Sequence, residues 1–429
     1  MSYRTFFAIA TVLALLGAAC GDRAPAVPDH AATIRTGPWR MELAIPDTAS
    51  GGTHALPFIF DLVRTGTALR MHIHNGEERI TVDEIAVKGD SLHIRMPLYD
   101  SEFRCVALND STLAGHWHNY LRGPDYRISC FAQAGPAPRF AAGHAGLSVE
   151  GQWETHFGTD EVTPAIGLFQ QDGHRVTGTF ATETGDYRFL DGIVRNDSLL
   201  LSSFNGFHAF LFKAGMKNDT LNGRFWSGTH YAEDWVAALN PHFKLRNEDS
   251  LTFLKEGHDM VDFHFPSIDG GELSPKDPDH KGHVLLVQVM GSWCPNCVDE
   301  SRLLSELYDR HHARGLDVIA LAFERYPDPK RALQGLIRFR EELGVKYPIA
   351  YAGFANKDTT SAKLPFLDHI MSYPTCIFIG RDGMVRRIRT GFYGPGTGAE
   401  RYAAYERDLE RFVVGLLNEP PASLASAKE

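Results

Sequence analysis

The chain has 429 residues, more than one compact core usually holds, so we expect two or three domains. It is 43% hydrophobic and 22% charged, as soluble globular proteins are. Its formal net charge is −10, and it contains no long run of Lys and Arg. This charge balance argues against nucleic acid as a partner.

The first 20 residues have the composition of an export signal. Arg4 is followed by an apolar run, 6–16, that is shorter than the roughly 20 residues of a membrane span. A charged start, a short apolar stretch and small residues before Cys20 are typical of a secretory signal peptide. The segment also resembles a bacterial lipoprotein signal, whose cysteine is lipidated after cleavage, although Gly17 stands where that pattern has Leu. We therefore expect an extracytoplasmic protein, in the periplasm or cell envelope, that Cys20 anchors to a bacterial membrane; a plain secretory signal is the alternative.

The region after a flexible tether, 21–35, has the pattern of an all-β protein and contains an internal repeat. Short alternating runs are separated by Gly, Asn and Asp, which indicates strands and turns. The motif ending in Trp39 returns at Trp153, and the sequence that starts at Asn109 returns at Asn218. The offset near 110 residues predicts a duplicated β unit, 36–140 and 148–245. Each unit is expected to be barrel-like or sandwich-like, because closure removes sheet edges.

The region 251–418 has the pattern of an α/β domain. An apolar run, 284–290, is typical of a strand buried on both faces. Leucines at helical spacing follow it. Further predicted strands are an edge strand at 262–265 and strands at 316–323, 347–350, 374–379 and 385–390, with helices at 331–343 and 399–417. This alternation predicts a layered α/β fold, and residues 419–429 are expected to be a flexible tail.

Cys294 and Cys297 stand where the buried strand ends and a helix begins. Two cysteines three residues apart share one face of a helical turn and lie within reach of a disulfide. Unpaired N–H groups at the start of a helix favour the Cys294 thiolate, which is the attacking species in thiol–disulfide exchange. Cys297 would then resolve the mixed disulfide. Pro295 suits the first helical turn, where its missing N–H costs nothing.

The motif Trp-Cys-Pro-Asn-Cys after a buried strand resembles the thioredoxin superfamily, in particular the extracytoplasmic TlpA/ResA-like thiol–disulfide oxidoreductases. About 80 residues on, Ser-Tyr-Pro-Thr resembles the cis-proline loop of that family. The resemblance covers roughly residues 255–418. It implies a thioredoxin fold, a cis bond before Pro374 and a substrate-binding surface, formed by Trp293, Pro295, Tyr373, Pro374 and Thr375.

Gln288 departs from classical thioredoxin, which has a buried acid at this position. An amide cannot take a proton from the resolving thiol. Glu300 or Glu324 could substitute, but acids at such positions are more often solvated, and we expect these two to be solvated as well.

Other roles for the Cys-x-x-Cys motif fit less well. A zinc site needs a second ligand pair of similar spacing, and the sequence has none, so we expect no metal here. A structural disulfide is usually buried, whereas we expect Cys294 to be exposed. Peroxide reduction would need Pro and Thr or Ser upstream, where the chain has Gly291 and Val287.

The remaining cysteines are expected to be packing residues. Cys376 lies in an apolar strand. Cys105 and Cys130 flank the strand of Trp117, so their separation of about 10 Å would exceed disulfide reach unless the sheet curls. In the second unit Leu239 is expected to take the place of Cys130.

Two histidine pairs each lie on one face of a strand: His72 with His74, and His116 with His118. Four imidazoles could bind copper or zinc, but a polar outer face is the simpler interpretation.

The sequence therefore predicts an exported thiol–disulfide oxidoreductase with a duplicated β region before its catalytic domain. It would need no cofactor beyond the redox-active pair Cys294–Cys297. Its expected partners are disulfide-containing or dithiol proteins and an upstream electron donor. The alternatives are a disulfide oxidase or isomerase, or a lipid-anchored binding protein that acts through its β region.

Overall fold

The computed structural model describes residues 33–47, 51–144 and 146–420. The predicted signal peptide, Cys20 and most of the tether lie outside these residues, as does most of the predicted tail. No helix within the described ranges is long and apolar enough to cross a membrane.

The first β unit is a barrel of nine antiparallel strands in chain order. Its first strand pairs with its last. The two edge strands of the sheet follow one another in the chain and are joined by the short connection between Val82 and Ile85. Inward residues alternate with outward ones, which fills the interior with apolar side chains such as Trp39 and Phe58. The strands are β1 (Gly37–Asp47), β2 (Gly52–Thr65), β3 (Ala68–Asn75), β4 (Glu78–Val82), β5 (Ile85–Lys88), β6 (Ser91–Arg95), β7 (Ser101–Asn109), β8 (Thr112–Asn119) and β9 (Arg127–Ala134).

The second β unit is a closed barrel. Eight of its strands form a complete antiparallel ring, since β11 pairs with both β10 and β12 and β10 pairs with β18. The strands are β10 (Gly151–Phe157), β11 (Thr163–Asp172), β12 (Arg175–Thr182), the two-residue β13 (Gly185–Asp186), β14 (Leu190–Arg195), β15 (Ser198–Phe204), β16 (Ala209–Lys217), β17 (Thr220–Ser227) and β18 (Tyr231–Leu239). The barrel form of the predicted β region is therefore confirmed.

The two barrels repeat the same local structure at their first strands. Trp39 Nε1 donates to Arg35 O at 3.0 Å, and Trp153 Nε1 donates to Val149 O at 2.8 Å. Both indoles are buried in their own barrel core. Four residues separate donor from acceptor in each case, so the repeat seen in the sequence is also a structural repeat.

Cys105 and Cys130 lie closer together than the strand spacing suggested. Their sulfurs are 3.7 Å apart over Gly115, which pairs with both cysteines and has no side chain to separate them. The expected separation was wrong because the barrel wall curls. Both cysteines are free thiols in the barrel core, as packing residues would be.

The residue of the second barrel that corresponds to Cys130 is Trp235, not Leu239. Trp39 pairs with Ala134, as Trp153 pairs with Leu239, so Leu239 corresponds to Ala134. The same register aligns Cys130 with Trp235. Trp235 lies over Gly223, which is the counterpart of Gly115.

The histidine pairs do not converge. His72 and His74 are on β3, and His116 and His118 are on β8, which is not a neighbour of β3. His72 contacts Thr81 instead. Among the described residues, no group of three or more His, Cys, Asp and Glu side chains could hold a metal ion.

The C-terminal domain has a five-stranded mixed sheet with helices on both faces. The strand order is β23-β22-β21-β24-β25; the first three strands are parallel, β24 runs antiparallel to β21, and β25 runs antiparallel to β24. The strands are β21 (Val284–Met290), β22 (Leu316–Glu324), β23 (Ile349–Phe354), β24 (Thr375–Ile379) and β25 (Val385–Thr390), and the helices are α1 (Pro295–His311), α2 (Pro329–Leu343), α3 (Lys357–Lys363) and α4 (Ala399–Leu417). This is the arrangement that the thioredoxin resemblance implied.

Two details of the C-terminal domain differ from the sequence-based expectations. The edge strand expected at 262–265 is a small hairpin of β19 (Phe265–Pro266) and β20 (Glu272–Leu273), turned by Gly270 and Gly271 at positive φ. Helix α3 was not predicted. It has no apolar periodicity, and it is capped by Asn356, whose side chain accepts from two backbone N–H groups.

Both barrels pack against the C-terminal domain at one end of its sheet. Tyr99 and Leu121 of the first barrel and Phe207 of the second share a buried cluster with Cys294 and Cys297. The two predicted reactive cysteines therefore lie at the junction of all three domains.

Candidate active site

Cys294 is the N-cap residue of α1 and directly follows the turn after β21. The Cys297 backbone N–H donates to Cys294 Sγ at 3.3 Å, and Pro295 occupies the first helical position. An N–H group aimed at sulfur stabilises the thiolate, as does the positive end of the helix. Both cysteines are free thiols.

Cys294 is buried, which corrects the expectation of an exposed thiol. Its relative exposure is 6%, and that of Cys297 is 0%. The physical reason is that the two barrels cover this end of the C-terminal domain.

The Ser-Tyr-Pro-Thr loop lies beside Cys294. The Tyr373–Pro374 bond is cis, as expected from the resemblance. Cys294 Sγ donates to Tyr373 O at 3.5 Å, and Thr375 Oγ1 donates to Ser372 O at 2.9 Å. The backbone of the residue before the proline is thus next to the sulfur.

Trp293 is held by its neighbours on three sides. Its Nε1 donates to Phe323 O at 2.9 Å, and its ring contacts Tyr373 at a centroid distance of 5.6 Å. The Arg325 guanidinium lies 4.2 Å from the indole centroid, and Phe207 from the second barrel lies at 5.9 Å. Trp293 therefore joins the cis-proline loop to the second barrel.

Glu300 and Glu324 are both buried, contrary to the expectation that they are solvated. Glu300 Oε2 accepts from Gln288 Nε2 at 2.8 Å, and burial raises the Glu300 pKa to about 7. Glu324 accepts from the backbone N–H and the hydroxyl of Ser292, and burial raises its pKa to about 7 as well. Sequence could not reveal this, because the burial comes from packing between distant segments.

Cys297 is a poor acid in this environment. Burial raises its pKa well above the usual value, and the Cys294 sulfur and the Glu300 carboxylate add to the rise. A group that takes its proton is therefore needed before Cys297 can attack, and Glu300 is the acid that interacts with it electrostatically.

Asp186 and Arg188 of the second barrel also reach the active site, and sequence reasoning missed both. Arg188 Nη1 donates to Pro295 O at 2.9 Å, and Asn296 Nδ2 donates to Asp186 O at 3.1 Å. Burial and the nearby Asp299 raise the Asp186 pKa to about 7. These residues lie more than a hundred positions before the cysteines, and their sequence resembles an ordinary turn.

Residues 257–388 match the model of the AhpC/TSA family. Among curated proteins, the thiol-disulfide oxidoreductase ResA of Halalkalibacterium halodurans is 23% identical over 168 residues, which cover 39% of this chain and 87% of that protein. ResA of Bacillus thuringiensis subsp. konkukian is 25% identical over 129 residues, covering 30% of this chain and 66% of that protein.

Two solved structures are similar to part of the chain. A thiol:disulfide interchange protein from Chlorobium tepidum TLS is 20% identical, with a TM-score of 0.30, and covers 38% of this chain and 99% of its own. A secreted thiol-disulfide isomerase from Corynebacterium glutamicum is 18% identical, with a TM-score of 0.31, covering 41% and 98%. The family match lies within the C-terminal domain, and with the curated relatives it makes this domain similar to the ResA-like thiol–disulfide oxidoreductases of the thioredoxin superfamily.

Proposed function

We propose that the protein is an extracytoplasmic thiol–disulfide oxidoreductase that reduces or exchanges disulfides of partner proteins through Cys294 and Cys297. The observation that carries the proposal is the Cys294 sulfur, which accepts an N–H from α1 and lies 3.5 Å from Tyr373 O in the cis-proline loop. A nucleophilic sulfur beside the backbone of this loop is what an extended disulfide-containing segment needs.

The first step of the proposed reaction is attack by the Cys294 thiolate on a partner disulfide. A bond forms between Cys294 Sγ and one partner sulfur, the partner disulfide breaks, and the other partner sulfur leaves as a thiolate that takes up a proton. The Cys297 N–H and the start of α1 stabilise the attacking thiolate.

The second step needs a base for the buried Cys297. We assign this role to Glu300, whose pKa of about 7 suits proton transfer near neutral pH. Cys297 then attacks Cys294 Sγ, the Cys294–Cys297 disulfide forms and the second partner sulfur leaves. The partner gains two electrons and the cysteine pair loses two. A dithiol protein upstream would restore the reduced pair, and no further cofactor is required.

The proposed location is the bacterial cell envelope, with Cys20 as the lipid anchor. The composition of the first 20 residues supports export, and the ResA-like character of the C-terminal domain agrees with it. Several acyl chains hold a protein firmly at a membrane, whereas one binds only marginally.

The test is an insulin reduction assay with three cysteine variants. Cys294→Ser should abolish activity, and Cys297→Ser should accumulate a mixed disulfide that a non-reducing gel detects. Cys376→Ser is the matched control, since Cys376 is a buried thiol on β24 outside the pair, and it should keep activity. Full activity of Cys294→Ser would disprove the assignment of the nucleophile.

The reduction potential decides the direction of electron flow. Cys-x-x-Cys pairs in this superfamily span about −270 to −120 mV. A value near the lower limit fits the proposed reductase, and one near the upper limit would make the protein an oxidase.

A further inference from the structure

The second barrel contributes a short segment that crosses the mouth of the active site. This segment, residues 183–188, connects β12 to β14, and we call it the strap. Ser372 Oγ in the cis-proline loop donates to Thr184 O at 3.1 Å. Asn296 Nδ2, between the two cysteines, donates to Asp186 O at 3.1 Å, and the Gly394 N–H donates to Asp186 Oδ2 at 2.6 Å. The strap is therefore bonded to three segments of the C-terminal domain at the active site: the cis-proline loop, the start of α1 and the loop that contains Gly394.

The fit between the strap and the active site leaves no space for a second chain. A Cβ atom on Gly185 would overlap Asn296 Nδ2 and would lie 3.0 Å from Phe392 O. A Cβ atom on Gly391 would lie 2.7 Å from the carbonyl carbon of Thr184. At Gly391 backbone packs on backbone, and at Gly185 the strap packs on the Asn296 side chain and on Phe392 O, so a partner segment cannot enter while the strap is in place.

Ion pairs hold the strap at both ends. Arg188 Nη1 pairs with Asp299 on α1 and Nη2 pairs with Glu78 of the first barrel, both at 2.5 Å and both buried. At the other end, Arg246 donates to both carboxylate oxygens of Glu183, at 2.7 and 2.5 Å. Arg246 is largely exposed and lies outside the active site.

The opposite wall of the site comes from aromatic residues of the barrels. Phe207 packs on Trp293, and Tyr99 packs on Phe207 at 5.7 Å. With the strap on one side and these rings on the other, Cys294 has only 6% exposure. A disulfide of a folded partner cannot reach a sulfur that is enclosed in this way.

We propose that the strap is an intramolecular gate, which occupies the substrate groove beside Pro374 and must leave before a protein disulfide can reach Cys294. This inference rests on the proposed function, because it concerns access to the same cysteine. It makes the second barrel a regulator of the C-terminal domain. The ends of the strap are fixed in a closed strand ring, so opening takes place either in the strap itself or by displacement of the whole barrel.

The test uses the full-length reduced protein and a wedge variant, Gly185→Ala. Its added methyl group would overlap Asn296 Nδ2, so either the strap shifts or Asn296 turns away and gives up its hydrogen bond to Asp186 O; in both cases the strap is loosened. The matched control is Gly135→Ala, because Gly135 has the same backbone angle, φ +124° against +125°, but a Cβ atom there meets nothing within 4 Å. The control carries the same backbone penalty without the wedge.

Two rates are measured for each protein: alkylation of Cys294 by iodoacetamide, followed by peptide mass spectrometry, and reduction of insulin. Gly185→Ala should raise both rates about fivefold or more, as expected for an overpacked contact. Gly135→Ala should leave both rates at the wild-type level. Unchanged rates in a folded Gly185→Ala variant would overturn the gate, as would wild-type alkylation as fast as that of an exposed thiol.

A second variant covers the case in which Gly185→Ala does not fold. Arg246→Ala releases Glu183 from outside the active site and should raise both rates in the same direction, though less. Its control is Arg411→Ala, which removes an exposed ion pair with Asp408 on α4. Equal rates in Arg246→Ala and wild type would then refute the gate. Failure of the proposed function has a different signature: none of the variants would reduce insulin, while alkylation would still report access.

Discussion

Replacing Glu300 with Gln should remove a pH-dependent loss of stability from the C-terminal domain. The Glu300 carboxyl is 3% exposed, and burial raises its pKa from 4.5 to about 7. Between these values the folded protein keeps the proton and the unfolded chain loses it. Retention of this proton stabilises the folded state. The stabilisation is complete below pH 4.5 and is lost as the pH rises through 7.

The size of the effect follows from the pKa difference. At about 1.36 kcal/mol per pKa unit, the shift of Glu300 lowers the free energy of unfolding by roughly 3 kcal/mol at pH 8. A glutamine keeps the amide oxygen that can accept from Gln288 Nε2, which now bonds Glu300 Oε2 at 2.8 Å, but it does not ionise. Glu300→Gln should match the wild type near pH 4.5 and exceed it by up to roughly 3 kcal/mol at pH 8.

Hydrogen exchange of the β21 amides measures this difference within the right domain. We expect the opening free energy of β21, corrected for intrinsic exchange rates, to fall between pH 5 and 8 in the reduced wild type more than in Glu300→Gln. Glu306→Gln is the control, because Glu306 lies on the same helix with 62% side-chain exposure. If the opening free energies of Glu300→Gln and wild type differ by the same amount at pH 5 and at pH 8, the reasoning is refuted. The variant should also slow the second step of exchange, seen as a longer-lived mixed disulfide.

Three further predictions concern other parts of the chain. Cys20→Ala should move the protein from the membrane fraction to the soluble extracytoplasmic fraction; unchanged membrane association would disprove the anchor. Gly115→Ala should destabilise the first barrel in thermal unfolding by about 1–3 kcal/mol or more, because its Cβ atom would overlap the backbone of β7, while Gly215→Ala in open space should cost less than about 1 kcal/mol. Arg188→Met should cost about 3–5 kcal/mol of stability, since it removes an ion-pair partner from two buried carboxylates, Glu78 and Asp299, and leaves Asp299 with only the half-exposed Arg302; a loss below 1 kcal/mol in urea unfolding would contradict this.

The elements of the C-terminal domain could be predicted because their signals are local. The apolar run 284–290 coincides with β21 (Val284–Met290), and the predicted strand 385–390 and helix 399–417 coincide with β25 and α4. An apolar run bounded by turn residues, or apolar spacing of a helical period, needs no knowledge of the rest of the fold. The Cys-x-x-Cys motif at the end of such a strand indicated the reactive pair for the same reason.

The surroundings of the cysteines could not be predicted, because they come from distant segments. Glu300 and Glu324 were expected to be solvated, yet both are buried under packing that no local pattern reveals. Cys294 was expected to be exposed, and the two barrels, which cover this end of the C-terminal domain, bury it. The strap sequence contains Gly and Asp, the composition of an ordinary turn.

The distance between Cys105 and Cys130 was predicted wrongly for another reason: the strand order was correct, but the sheet was assumed to be flat. The strand of Trp117 does lie between the two cysteine strands, as predicted. Curvature of the barrel wall and the missing side chain of Gly115 bring the sulfurs to 3.7 Å. Strand order follows from sequence more readily than curvature does.

Gly115 and Gly223 occupy equivalent positions in the two barrels, so the side chains that pack over them can in principle be exchanged between the barrels. Over Gly115 the first barrel places two thiols, and over Gly223 the second places Ala214 and the indole of Trp235. The same cavity is thus filled by two medium side chains in one copy and by one small and one large side chain in the other. The double substitution Cys105→Ala and Cys130→Trp would give the first barrel the side chains that the second barrel has at these positions. Such a molecule would keep Cys376 as the one thiol outside the reactive pair in the described residues, and its redox titration would report Cys294 and Cys297 almost free of background.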